Sequence, residues 1–432
     1  MSNCWYAVVL LVLTFTSAIG AASRSPWQSE ISATPLLALP SPSNSPSPAI
    51  PEATPTTLSE FERFRIQVMF QNGKADATWF SNSFLDQVPV GEVDAAIAQV
   101  ESALGRFRTI AGDRGDYTAQ FETGTDEVLV HVDAGNKIDR LLFKPPKAQA
   151  SSFENALRLL RAFRSPTGTL SYVIVQGNSE RASLRGSVPL AVGSAFKLAV
   201  LAALRNEISR GRRHWSDVAP LQSRWKSLPT GALRNWPDRT PVTLATYAVE
   251  MISNSDNTAA DALLNVIGPK ALAGYAMDNS PFPTTREMFT LKSMGASLQR
   301  EAYIAARTSA ERAAVLAKID SMPLPAADMV LSRPILDIEW HYSVRELCSL
   351  MHRVADLPLM SVNPGAADAT AFRRVAFKGG SDVGVVNLTT LVTTKRGVSF
   401  CFSATLNDSV KNIDDVAFSI TYASALSALA NQ

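Results

Sequence analysis

Ser194-Ala195-Phe196-Lys197-Leu198-Ala199-Val200-Leu201-Ala202-Ala203-Leu204 sets two polar side chains against a run that is otherwise apolar. From Leu198 onward the run is apolar on every side, so it reads as a helix buried inside a domain. Ser194 and Lys197, at i and i+3, share one helical face, and the amine can reach the hydroxyl. Burial disfavours a charged lysine and lowers its pKa, which turns an ordinary cation into a general base for the serine. A serine at a helix start also meets backbone N–H groups suited to an oxyanion. The bland alternative is a helix-capping serine beside a snorkelling lysine. The same S-x-x-K spacing recurs at Ser223-Arg224-Trp225-Lys226. There Gln222, Ser227 and Pro229 flank it and no buried helix follows, so that copy reads as a solvated turn.

Two further stretches favour the functional reading. Ser255-Asp256-Asn257 follows the apolar Met251-Ile252 and precedes Ala259-Ala260, on a tight connection between helices that presents three polar side chains together. Lys378-Gly379-Gly380-Ser381 introduces a strand expected to begin at Val383. Lys378 taken alone is a strand-edge surface lysine, but the glycines after it would let a substrate approach the strand closely.

S-x-x-K, S-D-N and K-x-G in that order resemble the set found in class A β-lactamases and penicillin-binding proteins. Val242-Thr243-Leu244 leading into Met251-Ile252-Ser253-Asn254-Ser255-Asp256-Asn257-Thr258-Ala259-Ala260 is similar to the family throughout, and the likeness covers roughly Phe153 to the C terminus. It implies an α/β fold, a β-lactamase-like antiparallel sheet with flanking helices plus a helical lobe. It implies that Ser194 attacks a carbonyl, Lys197 takes its proton, and Ser255 relays a proton to the leaving group. Asn257 would orient Lys197 and substrate, and Lys378 would supply positive charge to Ser255 and a substrate carboxylate. Gly380 and Ser381 would line the substrate site, with the N–H groups of Ser194 and Ser381 as the oxyanion hole.

The chain departs from that pattern twice. Gly379 stands where the family has Thr or Ser, so a hydroxyl for a substrate carboxylate is missing unless Ser381 replaces it. No R-x-E-x-x-x-N string lies between Thr258 and Phe377, and the nearest candidate for a deacylation base is Glu287. Its alternative is a solvated glutamate at a helix start. Domain order and the stretch Thr284-Thr285-Arg286-Glu287-Met288-Phe289 resemble a two-domain subgroup of serine hydrolases with an isomerase-like N-terminal domain, which includes an esterase-like member.

Outward from the site, residues 1–22 read as an export signal: an apolar run from Trp5 to Ala18, then small residues, with no Lys or Arg before it. An uncleaved anchor is the alternative. Residues 23–57, rich in Pro and Ser, read as a tether. Over 58–147 helices (near Leu58, Ala77–Phe84, Gly91–Leu104) precede short alternating strands, with Val128, Val130 and Val132 on one strand face. That order is an α+β plan for a small domain similar to the ketosteroid-isomerase-like cone. Lys144-Pro145-Pro146-Lys147 ends it, and 152–432 form the second domain.

A formal charge of +2 and 19% charged residues exclude the basic excess that nucleic acid binding needs. His131, His214, His341 and His352 show no metal-ligand spacing, and neither metal nor cofactor is implied. Cys348 and Cys401 lie in apolar contexts that suit buried packing; a bridge between them is open, since sequence carries no geometry. The expected partner is a small β-lactam or ester, or a peptidoglycan peptide, met outside the cytoplasm in the periplasm or beyond, with no membrane span after signal cleavage. A cell-wall D,D-peptidase and a sensor that acylates without turnover are the competing functions.

Overall fold

The computed structural model describes residues 58–144, 146–148, 152–163, 167–276 and 279–430, so the export signal and tether expected over 1–57 lie outside the described residues. The described part of Asn3–Ser152, together with Val416–Ser424, forms one unit; Phe153–Asp415 with Ala425–Gln432 forms the other.

The first unit begins with helices α1 (Leu58–Asn72), α2 (Asn82–Leu85) and α3 (Val90–Leu104). Where the sequence suggests continuous helix over Ala77–Phe84, the chain makes two short turns instead. Asp76 accepts the Thr78 N–H at 2.8 Å and Ser81 accepts the Phe84 N–H at 3.3 Å, so each side chain restarts the backbone pattern. Strands β1 (Phe107–Asp113), β2 (Asp116–Phe121), β3 (Gly124–Val132), β4 (Ile138–Phe143) and β5 (Lys147–Ala148) follow, paired antiparallel in the order β1-β2-β3-β4 with β5 on β3. Val128, Val130 and Val132 share the buried face of β3, and Asp126 lies on it too. Asp126 is fully buried, and neither carboxyl oxygen is paired with another side chain.

The second unit runs through α4 (Phe153–Arg161), β6 (Gly168–Gln176), β7 (Ser179–Leu184), β8 (Leu190–Ala191), α5 (Lys197–Ser209), β9 (Val218–Pro220), β10 (Pro241–Thr243), α6 (Leu244–Ser253) and α7 (Asn257–Leu272). It continues with α8 (Thr285–Leu291), α9 (Ser297–Ala305), α10 (Ser309–Asp320), β11 (His341–Tyr342), α11 (Val344–His352), β12 (Phe372–Asp382), β13 (Val385–Thr394) and β14 (Ser399–Asp408); the last described helix, α12 (Asp415–Ala430), contributes Val416–Ser424 to the first unit and its ends to the second. Its main sheet is antiparallel, in the order β12-β13-β14-β6-β7, so strands from both ends of the domain are neighbours. Thr243 caps α6 and Asp256 caps α7, each accepting an N–H three residues on, which is why the polar pieces of the sequence sit at helix starts. Leu198–Leu204 of α5 are all buried, packed with Tyr247, Ala260 and Leu263 of α6 and α7.

The structure departs from the sequence pattern at two places. Lys378-Gly379-Gly380-Ser381 does not precede a strand; it is the second half of β12, and Val383-Gly384 is the turn to β13. Val375 through Gly380 are buried, so neither face of that stretch shows the alternation that would betray a strand, and the glycine pair lowers strand propensity further. Cys348 and Cys401 are not merely packed: they form a disulfide that joins α11 to β14, with Cα atoms 5.9 Å apart.

Candidate active site

Ser194 lies on a 3-10 turn, Gly193–Phe196, that runs straight into α5. Between Ala191 and Leu204 it is the one residue that is not buried. Gly193 makes the approach possible with φ +49°, a left-handed conformation that suits glycine.

The Lys197 side chain is wholly buried, and its Nζ lies 3.2 Å from Ser194 Oγ. It also reaches Ser255 O at 2.6 Å, Asn257 Oδ1 at 2.5 Å and Ser255 Oγ at 3.2 Å. The carbonyl and the amide oxygen can only accept, so they hold two N–H groups of a neutral amine and leave its lone pair for the Ser194 proton. Burial lowers the Lys197 pKa to about 7, against the opposing pull of Asp256 and Asp261. Neutral amine is therefore well populated near neutrality, as a base for a hydroxyl requires.

Ser255 stands in the connection between α6 and α7 with φ +54°, an uncommon conformation for a residue with a Cβ. That backbone turns its carbonyl inward, where it accepts from Lys197 and from Thr230 Oγ1 at 2.7 Å. Asn257, the first residue of α7, donates from Nδ2 to Leu228 O, which fixes its oxygen toward Lys197. Asp256 turns away from this group: it caps α7 at Ala259 N and accepts Leu233 N at 2.9 Å. The three polar side chains of this stretch are thus divided, two for the site and one for the frame.

Lys378 enters from β12, buried, and donates to Ser255 Oγ at 3.0 Å and to Gly379 O at 2.6 Å. Burial first, then the charge of Lys197, pushes it well below the ordinary lysine value. Ser255 Oγ therefore sits between two amines of weakened charge, a path along which a proton can move.

Strand β12 is the edge of its sheet, and Gly380 lets it meet the Ser194 turn. A Cβ there would stand 2.1 Å from Val192 O, 2.5 Å from Ser194 N and 2.6 Å from Ala195 N. Ser381 N in turn lies 2.9 Å from where a Gly193 Cβ would be, so the Ser194 and Ser381 backbones converge.

Glu287 is not drawn into this group. Its Oε2 accepts Thr284 N at 2.7 Å and Thr284 Oγ1 at 2.8 Å, closing the capping box of α8. Burial raises its pKa, and its wall is that of an apolar cavity of about 470 Å³ with Leu264, Leu272 and Phe282. The second S-x-x-K also stays apart: Ser223 Oγ and Lys226 Nζ both bind Asp238. Sequence reasoning missed Thr230, for which no spacing signal exists, and picked out Asp256 without separating its framing role from the site. Among the described residues no group of His, Cys, Asp or Glu could hold a metal ion, and no helix is long and apolar enough to cross a membrane.

Residues 153–332 match the beta-lactamase enzyme family. Among solved structures, the chain is similar to a beta-lactamase from Sphaerobacter thermophilus at 17% identity, covering 64% of this chain and 96% of that one, with TM-score 0.46. It is similar to PBP-A at 15% identity, 66% and 98% coverage and TM-score 0.44, and to a beta-lactamase from Chitinophaga pinensis at 15%, 64% and 97%, and 0.45. No curated protein matches the chain.

Proposed function

We propose that this chain, whose residues 153–332 match the beta-lactamase enzyme family, is an exported acyl-serine hydrolase that opens a β-lactam amide or a related ester through an acyl-enzyme on Ser194. One observation carries the reading: a sealed lysine with pKa about 7 stands 3.2 Å from the only hydroxyl its turn exposes.

In this mechanism Lys197 takes the Ser194 proton as Oγ attacks the carbonyl carbon. The N–H groups of Ser194 and Ser381 hold the tetrahedral oxyanion. The C–N or C–O bond then breaks, Ser255 gives its proton to the leaving atom, and Lys197 or Lys378 restores it. A water must later attack the acyl-enzyme. Glu287 engages Oε2 in its own helix cap, and this favours a second reading in which the acyl-enzyme persists and the protein senses β-lactams or wall peptides.

The test treats mature protein with nitrocefin, a chromogenic ester and penicillin, with Ser194→Ala as control, and follows intact mass. A transient adduct on Ser194 with turnover is the expected result, and a lasting adduct without turnover establishes the sensing reading. Folded protein whose Ser194 gains no mass from any acylating probe overturns both.

A further inference from the structure

Strand β12 sets Lys378, Gly380 and Asp382 on one face, since alternate residues of a strand point the same way. Lys378 meets Ser255, and Gly380 meets the Ser194 turn. Asp382 comes next on that face, on the flank of the turn opposite to Lys378. There Lys292, just past α8, donates from Nζ to Asp382 Oδ2 at 2.6 Å and to Glu339 Oε1. The Lys292 and Glu339 side chains are 3% and 0% exposed and that of Asp382 14%. Glu339 leads into Trp340, whose carbonyl accepts Val192 N at 3.0 Å and whose ring stacks on Phe196 at 3.9 Å. One ammonium thus joins the strand end beyond Ser381 to the segment that backs the Ser194 turn.

We propose that Lys292 is a positioning residue for the Ser194 site, holding Asp382 to Glu339 and thereby fixing the Ser381 N–H against the nucleophile's turn. The proposal rests on the hydrolase reading above. Lys292 touches no reacting atom. Asp382 and Glu339 cannot both stay ionised in this buried place without an amine between them. Burial, offset by Lys292 and reinforced by the charge of Asp382, raises the Glu339 pKa. The other charged or titratable groups facing this cluster are Asp337, His341, Arg312 and Tyr303, which share with Glu339 a cavity of about 260 Å³, and Arg300, which donates to Leu291 O and Ser293 O beside Lys292.

The experiment compares wild type with Lys292→Met, Asp382→Ala and the uncharged triple variant Lys292→Met/Glu339→Gln/Asp382→Asn. It reads acylation by a fluorescent penicillin against pH, reversible affinity, and hydrogen exchange over residues 378–384. Lys292→Met is expected to acylate about 100-fold more slowly at pH 8 with reversible affinity little changed, because a donor has shifted and not a binding surface. Its deficit relative to wild type shrinks as pH falls and Glu339 takes up a proton, and the triple variant regains most of the rate at pH 8. Asp382→Ala, at the more exposed member, carries the same test if Lys292→Met does not fold. A folded variant that acylates like wild type, or a deficit constant with pH and unrelieved in the triple variant, overturns the proposal. Hydrogen exchange reads Lys292 independently of chemistry: unchanged exchange over 378–384 overturns the positioning role, whereas a wild type that is never acylated overturns the hydrolase reading.

Discussion

Lys378 Nζ donates to Ser255 Oγ at 3.0 Å, the same oxygen that Lys197 approaches from the other side at 3.2 Å. Two ammonium groups cannot both donate to one hydroxyl in a sealed space without strong mutual repulsion, so the pair favours states with one amine neutral. The chemistry expected of the site follows from that single shared atom.

Acylation should therefore lose about tenfold in rate per pH unit below the Lys197 pKa of about 7. Asn257→Asp places a carboxylate where the amide oxygen now stands, 2.5 Å from Nζ, and should move this acid limb up by about one unit or more. The pH profile of acylation decides it; an unmoved limb would assign the titration to another group.

Gly380→Ala drives a Cβ into Val192 O and Ser194 N, both backbone atoms that cannot swing aside. A loss of about 100-fold in acylation is expected, with ~2 kcal/mol of stability. Nitrocefin kinetics beside a urea melt measure both, and a variant with native kinetics would mean that β12 does not press on the turn.

Glu287→Gln should leave deacylation within about threefold of wild type and cost about 1 kcal/mol through the weakened capping box. The lifetime of the Ser194 acyl-enzyme by mass spectrometry is the readout. A lifetime lengthened a hundredfold would make Glu287 the water-activating base after all.

Asp126, pushed up to about 8 by burial first and the charge of Glu127 second, holds its proton in the folded first unit. The unfolded chain releases that proton near pH 4, so between about 4 and 8 the folded state binds more protons and stability falls as pH rises. Asp126→Asn should flatten this slope, seen by calorimetry at pH 5 and pH 8. An equal slope in the variant would rule out Asp126 as its source.

Removing the Cys348–Cys401 bridge by Cys348→Ala/Cys401→Ala should cost about 2–4 kcal/mol. With both cysteines at 2% exposure or less, the native bond should resist dithiothreitol until denaturant is added. Rapid reduction of the folded protein, followed by thiol labelling, would contradict this burial.

Ser194 and Lys197 could be read from sequence because a local rule joins them: i and i+3, one helical turn apart, ahead of an apolar run. Ser255 and Asn257 were legible for the same reason, as polar residues at a helix start between apolar segments. The Lys292 cluster was not, because its partners lie 47 and 90 residues away and only the fold brings them together. Lys378 was found, but its strand was not, since burial on both faces erases the period of two. Asp126 escaped because Gly124-Thr125-Asp126 reads as a turn from its residue types, whereas β3 already begins at Gly124 and carries Asp126 on its buried face.

Ser255, held at φ +54°, gives the site its readiness before any substrate arrives. Such a backbone costs on the order of 1–3 kcal/mol, drawn from the stability of the folded chain and not from the binding of a substrate. The folded domain carries that cost whether or not a substrate is bound. Evolution toward a hardier protein at this position would soften the very turn on which both lysines converge.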